Sequence, residues 1–248
     1  MIRRLWPPLV VVALLLGAWQ LYVDSGGVDD LVLASPTQIA RALWDDRSLL
    51  LDNLAVTAVE VGLGVLLALV VGVVLGVLLH WSDLARRALY PLMVGSQAVP
   101  LVIFAPLLVY WVGFGVLPKL VIIALICFFP VVVTTYDGLR GVDPDLRKLM
   151  RTLDASRWQA FRLAELPAAL PAALSGARIA VAVAVIGAFL AETAGSTKGL
   201  GHLLLQAIPA LETPRAYAAA VVMAVFAIAL FYALGVAERR LSPHRPRP

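Results

Sequence analysis

Residues 54–79 read LAVTAVEVGLGVLLALVVGVVLGVLL, a long apolar stretch in which Glu60 is the only charged side chain. An α-helix rises 1.5 Å per residue, so about 20 such residues cross the hydrocarbon core of a bilayer, which is roughly 30 Å thick. In lipid a helix also satisfies its own backbone hydrogen bonds. This stretch therefore predicts a transmembrane helix.

The composition of the whole chain agrees with a membrane protein. Of its 248 residues 61% are hydrophobic and only 15% are charged, against about 25% charged in soluble domains. A mean hydropathy of +0.91 would leave large apolar patches facing water. Disorder is excluded, and so is a disulfide scaffold, because Cys127 is the single cysteine. The three histidines are scattered, so we predict no metal site.

Six apolar stretches are long enough to cross a bilayer, and they predict an all-α, polytopic membrane protein with about six transmembrane helices. They lie at residues 5–23, 54–79, 88–112, 116–136, 168–191 and 216–237. Proline and glycine interrupt the third and fourth, so five or seven spans remain open alternatives. Arg3 and Arg4 before the first stretch also resemble a signal peptide, but we expect an uncleaved helix because no convincing cleavage site follows.

The basic residues predict the orientation. With six spans, fourteen of the twenty Lys and Arg fall on one side of the membrane. By the positive-inside rule this side is cytoplasmic, and both termini lie there. The first external loop is acidic, and its segment 36–44 predicts a short helix at the outer surface. We therefore assign the net charge of +4 to membrane topology and not to nucleic-acid binding.

The longest cytoplasmic segment, 138–167, predicts two short helices joined by a bend. Asp143 suits an N-cap and Pro144 the first helical position. An apolar stripe then follows at helical spacing, formed by Leu146, Leu149, Met150 and Leu153.

After Asp154 the pattern starts again. Ser156 and Gln159 form a capping-box pattern that opens the second helix, with Trp158 and Phe161 on one face. This helix is expected to end at Leu166 and Pro167. Such a hairpin either rests on lipid headgroups or docks its stripe in a groove of a soluble partner.

The sequence of this segment resembles a known motif. LDASRWQAFR at 153–162 and LPAALP at 166–171 are similar to the EAA loop of ABC importer permeases. Further similarities to the permeases of the nitrate, sulfonate, taurine and thiamine-precursor group lie at 106–107, 111–115, 138–144, 191–192 and 199–201. Lys148-Leu149-Met150 replaces the Glu-Ala-Ala of the motif, and Asp154 replaces a glycine at the bend. Asp tolerates a left-handed backbone, so we expect the bend to survive.

The resemblance implies a type I ABC importer transmembrane fold and the role of a permease subunit. It implies a second permease copy, two cytosolic ABC ATPase subunits that bind ATP and Mg, and a periplasmic or lipoprotein substrate-binding protein. It also implies a bacterial inner-membrane location. The chain itself contains no G-x-x-x-x-G-K-[ST] motif and should bind no cofactor. The implied ATPase-coupling residues are Leu146, Leu149, Met150, Leu153, Asp154, Ala155, Ser156, Trp158 and Phe161.

Polar side chains inside the spans are candidates for the substrate pathway, since such groups tend to face a cavity. The candidates are Gln97, Ser96, Glu60 and Thr134, with Thr135, Arg178 and Glu192 as further polar groups. Gln97 is preferred because prolines interrupt its helix. Bonding of the threonines to their own helix and snorkelling of Arg178 towards the cytosol are the structural alternatives.

We predict three regions: a first helix and outer loop at 1–53, a permease core at 54–238 that includes the coupling loop 138–167, and a basic cytoplasmic tail at 239–248. Two other functions compete with the importer. A membrane-embedded enzyme would need carboxylate or histidine clusters at the membrane face, and an ion-coupled secondary transporter would need paired ionisable groups at mid-membrane.

Overall fold

The computed structural model describes residues 2–29 and 31–241 of the chain. Every regular element within those residues is a helix, which confirms the all-α prediction. The α-helices are α1 Ile2–Asp24, α2 Pro36–Asp45, α3 Arg47–Trp81, α4 Asp83–Ser96, α5 Leu101–Val112, α6 Val116–Arg140, α7 Pro144–Thr152, α8 Arg157–Ala160, α9 Leu166–Gly195, α10 Leu200–Ala207 and α11 Thr213–Leu241, with a π-helical turn at Phe161–Glu165 between α8 and α9. Most of the basic tail predicted at 239–248 lies outside the described residues.

Four helical stretches in the described residues are long and apolar enough to cross a membrane. They are Arg47–Trp81, Val116–Arg140, Arg157–Gly195 and Thr213–Val236. A fifth span results if α4 and α5 count as one broken crossing, since their axes differ by 101°. The part of α1 at Val10–Asp24 is also apolar, but it is shorter than these four stretches. All six predicted apolar stretches thus lie on helices, and the chain is a multi-pass membrane protein.

The break between α4 and α5 explains why the third stretch was ambiguous. Pro100 is the N-cap of α5, with an extended backbone at ψ 109°. A proline disfavours the helical conformation of the residue before it, so Val99 cannot continue α4. The predicted third span at 88–112 is therefore two helices at a sharp angle.

The second short helix of the cytoplasmic segment was expected to end at Pro167, and this expectation is wrong. α8 passes through the π-helical turn directly into α9, so that Arg157–Gly195 is one 39-residue helical stretch. A proline within a helix clashes with the carbonyl four residues earlier. The π-helical turn ends immediately before Leu166 and Pro167, where its wider spacing of hydrogen bonds makes room for the proline ring.

The chain forms two compact units. The first comprises Met1–Thr57 and Thr197–Val225. Its core contains Ala34, Ile39, Leu50, Leu200, Leu203, Ala218 and Ala219. α2, the predicted surface helix, begins with a complete capping box in which the Ser35 side chain accepts from the backbone N–H of Gln38. Arg215 of α11 holds the C-cap of α2 through Asp46, with Nε 2.7 Å from Oδ2.

The second unit comprises Ala58–Ser196 and Phe226–Pro248. Glycines allow its helices to approach closely. A Cβ atom added at Gly72 of α3 would lie 2.7 Å from the Val131 side chain of α6, and one added at Gly187 of α9 would lie 3.1 Å from Cα of Ile123. Ala105, Ile122 and Ala191 form a small core between α5, α6 and α9.

Candidate functional site

The bent segment formed by α7 and α8 is the principal candidate site. Asp143 caps α7, and its Oδ1 accepts from the backbone N–H of Asp145 at 2.8 Å. Just beyond the other end of α7, Asp154 has φ 50°, and the backbone N–H of Ala155 donates to the Met150 carbonyl at 3.0 Å. Ser156 and Gln159 then form the predicted capping box. The two caps and the left-handed bend thus agree with the sequence.

The apolar stripe of α7 is largely accessible. Leu149 is 53% exposed and Leu153 67% exposed, while Leu146, Met150 and Ala155 are half-buried. Trp158, beyond the bend, is 57% exposed. Large apolar side chains exposed together on a cationic helix are typical of a docking surface.

Phe161 differs from the other predicted coupling residues because it is buried, at 6% exposure. It packs with Leu139 of α6 and Ala169 of α9, and its ring centroid lies 5.0 Å from that of Trp81. Sequence periodicity placed Phe161 and Trp158 on one face, and the two rings do stack at 5.7 Å. Phe161 therefore anchors the bent segment to α6 and α9.

A polar cluster around Glu165 fixes the bent segment in place. Glu165 Oε2 lies 3.0 Å from Nε2 of His80, at the end of α3, and Oε1 lies 3.1 Å from Nε of Arg147 on α7. Arg147 also donates to the carbonyls of Leu139 and Arg140 at 2.6 and 3.3 Å. An arginine that binds the last carbonyls of a helix caps that helix. The Glu165 cluster thus joins the ends of α3 and α6 to α7 and to the π-helical turn.

The predicted pathway residues do not come together. Ser96 and Gln97 lie exposed at the break between α4 and α5, where Ser96 Oγ donates to the Met93 carbonyl at 2.7 Å. Thr134 Oγ1 donates to the Pro130 carbonyl of its own helix at 2.8 Å. Arg178 stacks on Phe231, with Cζ 4.3 Å from the ring centroid.

Glu60 is buried and pairs with Lys119, a residue of the fourth predicted stretch at 116–136. Lys119 Nζ donates to Glu60 Oε1 and to Ser196 Oγ, the latter at 2.8 Å. The side chains of Glu60 and Lys119 are 4% and 8% exposed. The single acidic group of the 54–79 stretch and the lone lysine of the 116–136 stretch were the sequence signals for this pair, because a charge buried within a span requires a partner.

With this geometry established, comparisons with known proteins identify the family. Residues 64–243 match the family model of the binding-protein-dependent transport system inner membrane component. The chain belongs to this family.

Two curated permeases resemble this permease over most of its length. A probable ABC transporter permease protein of Haemophilus influenzae is 37% identical over 93% of this chain and 94% of its own. The formylaminopyrimidine transport permease protein ThiX of Halalkalibacterium halodurans is 33% identical, with 87% of each chain covered. The resemblance to ABC importer permeases stated from the sequence is thereby confirmed.

Solved structures support the fold of the permease. The MetNI methionine ABC transporter in inward-facing conformations matches with a TM-score of 0.66, at 19% identity, over 79% of this chain and 97% of that chain. At this level of identity the match concerns the fold alone. The predicted ABC importer transmembrane fold is confirmed.

Proposed function

We propose that the chain is the membrane subunit of an ATP-driven importer in a bacterial inner membrane, with both termini in the cytoplasm. It works with a second permease copy, two cytosolic ABC ATPase subunits and an external binding protein that delivers a small nutrient. ATP and Mg²⁺ bind to the ATPase partner. Membership of the binding-protein-dependent permeases supports this assignment, together with the fourteen basic residues on the predicted inner side.

The bent segment carries the proposal. An amphipathic helix that lays an apolar face in a groove needs accessible anchors at helical spacing, and Leu149 of α7 and its C-cap residue Leu153 provide them. The Glu165 cluster supports the transmission of force, because it connects α7 to the ends of α3 and α6.

ATP-driven closure of the ATPase dimer would move this segment and shift the spans between inward-open and outward-open states. A partner shifts such an equilibrium only by its differential affinity for the two states. Nucleotide-dependent closure of the ATPase supplies that difference.

The decisive experiment combines reconstitution with a substitution in the stripe. We expect the complete complex in proteoliposomes to hydrolyse ATP faster when loaded binding protein is added. Leu149→Asp should abolish co-purification of the ATPase, because the new carboxylate must lose its hydration in the groove. Thr152→Asp puts the same charge on α7 but off the stripe, and it should preserve the complex.

Two results would contradict this function. Transport by the purified chain without an ATPase would favour a secondary transporter. Equal co-purification of wild-type, Leu149→Asp and Thr152→Asp chains would show that the stripe is not the ATPase contact.

The substrate class follows from the relatives only as a proposal. ThiX is named a formylaminopyrimidine permease, and other relatives are named for aliphatic sulfonates and taurine. We propose that the substrate is a small polar or anionic nutrient. The ligand that makes the binding protein stimulate ATP hydrolysis in the reconstituted complex would identify it.

A further inference from the structure

A cavity of about 610 Å³ lies beside the bent segment. Arg147, Arg151 and Arg157 line it together with Trp81, Trp158 and the His80–Glu165 pair. Three guanidinium groups against one carboxylate give the lining a formal charge of +2 when His80 is neutral. An anion is therefore the ligand that this cavity favours.

The arginines of the cavity differ in their partners. Arg147 is committed to Glu165 and to the carbonyls at the end of α6. Among the described residues, Arg151 and Arg157 have neither a hydrogen-bond nor an ion-pair partner for their guanidinium groups. Each group offers its donors in a planar fork that matches the oxygens of a phosphate.

The position of the cavity indicates the source of the phosphate. Trp81 is the last residue of the candidate span Arg47–Trp81 and lies two positions beyond its apolar stretch at 54–79. The indole rings of Trp81 and Trp158 lie 6.0 Å apart, centroid to centroid, and the two residues are 54% and 57% exposed. Exposed tryptophans at the ends of spans sit at the level of lipid headgroups. Basic pockets between the ends of transmembrane helices bind the headgroups of anionic lipids.

We propose that this cavity binds the phosphate of an anionic phospholipid, held between Arg151 and Arg157 with Trp81 and Trp158 at the membrane interface. The proposal requires only that the chain spans a membrane, so it stands or falls separately from the ATPase coupling. The bound headgroup would bridge α7 and α8 across the bend at Asp154. The position of the bent segment would then depend on the lipid composition of the membrane.

The test measures lipids retained by the full-length chain. Wild-type protein is incorporated into nanodiscs of equal parts phosphatidylglycerol and phosphatidylcholine, extracted in mild detergent, and its bound lipids are counted by mass spectrometry. We expect retention of phosphatidylglycerol over phosphatidylcholine. The Arg151→Gln, Arg157→Gln variant should lose this preference by roughly tenfold or more, since each basic residue near a membrane contributes about a factor of five.

Two further variants separate a specific site from general charge. Arg162→Gln removes an exposed arginine from the same segment but outside the cavity lining, and it should retain phosphatidylglycerol like wild type. Arg151→Lys with Arg157→Lys keeps the charge but lacks the planar fork, so it should retain less phosphatidylglycerol than wild type and more than the double glutamine variant. Gel filtration of every variant checks that the fold is intact.

The proposal is overturned if the double glutamine variant and Arg162→Gln retain the same amount of phosphatidylglycerol. A second experiment adds inorganic phosphate to the nanodiscs at roughly 10-fold excess over lipid, so that a weak phosphate site would be largely occupied. If free phosphate displaces phosphatidylglycerol and binds equally well in discs of pure phosphatidylcholine, the site belongs to a soluble anion and the lipid assignment is wrong.

Discussion

At the scale of single residues, Glu60 and Lys119 form a buried ion pair within the second unit. Both side chains are almost fully buried, and Lys119 also donates to Ser196 at the C-cap of α9. Removing one member of a buried ion pair leaves an uncompensated charge, and this costs about 3–5 kcal/mol. The pair therefore constrains three helices at once.

We expect Lys119→Met to lower the apparent melting temperature of the detergent-solubilised chain by on the order of 10 °C. Adding Glu60→Gln should recover part of the lost melting temperature, because a neutral amide then replaces the unpaired carboxylate. Arg87→Met, at an exposed arginine, serves as the control and should shift the melting temperature by less than about 2 °C. Strictly additive effects of the two substitutions would argue against the pair.

Glu165 is the second residue with an outsized role, because it joins His80 and Arg147. Glu165→Ala should loosen α7 and raise hydrogen exchange of its amides by about fivefold, since the lost contact to α7 is the partly exposed ion pair with Arg147, which contributes on the order of 1 kcal/mol. Exchange is read by mass spectrometry. Asp145→Ala removes an exposed carboxylate whose ion pair with Lys148 is worth little, and it should change exchange less than threefold, a rough limit. Unchanged exchange in Glu165→Ala would exclude an anchoring role.

At the scale of helices, the contact of α3 with α6 depends on small residues. Gly72 faces the side chain of Val131 so closely that even a methyl group does not fit, whereas a Cβ atom at Gly62 meets no atom within 4 Å. Nothing in the sequence around these two glycines of one helix distinguishes them. Which of them faces a neighbour is settled by tertiary packing alone.

The two positions form a matched experiment. Gly72→Ala should destabilise the chain by about 1–3 kcal/mol through overpacking. Gly62→Ala should be neutral or stabilise by up to about 1 kcal/mol, because alanine favours the helix. Thermal unfolding of both variants under one condition gives the comparison, and equal shifts would contradict the proposed packing of α3.

The elements that local chemistry encodes were predicted well. The cap at Asp143, the capping box at Ser156 and the left-handed bend at Asp154 each depend on neighbours within four residues. The continuation of α8 into α9 was missed, because a π-helical turn that accommodates Pro167 has no simple sequence pattern.

Non-local features were predicted less well for a related reason. Burial of Lys119 depends on Glu60, which lies 59 positions away in sequence. Burial of Phe161 depends on residues of α6 and α9. Periodicity describes one helix at a time, so it supplies the faces of a helix but not their partners.

At the scale of the whole molecule, the orientation of the chain in the membrane is open to direct test. The positive-inside rule predicts that α7 lies in the cytoplasm and Lys198 outside. Single cysteines at Thr152 and Lys198, both exposed, are introduced after the buried Cys127 is changed to Ala. We expect a membrane-impermeant maleimide to label Lys198→Cys in intact spheroplasts and Thr152→Cys only in inverted vesicles. The opposite pattern would place the bent segment on the wrong side for any cytosolic ATPase.

The unbroken helical stretch Arg157–Gly195 has a consequence for how this chain can vary. Each residue added to an α-helix rotates all the following residues by about 100° around the helix axis. A single insertion after Ala173 in α9 would therefore rotate Gly176 and Gly187 away from α6. Both glycines now lie close to α6, and bulkier neighbours would take their place. Functional variants should keep the residue count between Arg157 and Gly187 constant, because even an insertion of about one turn would shift these glycines by about 5.4 Å along the helix axis.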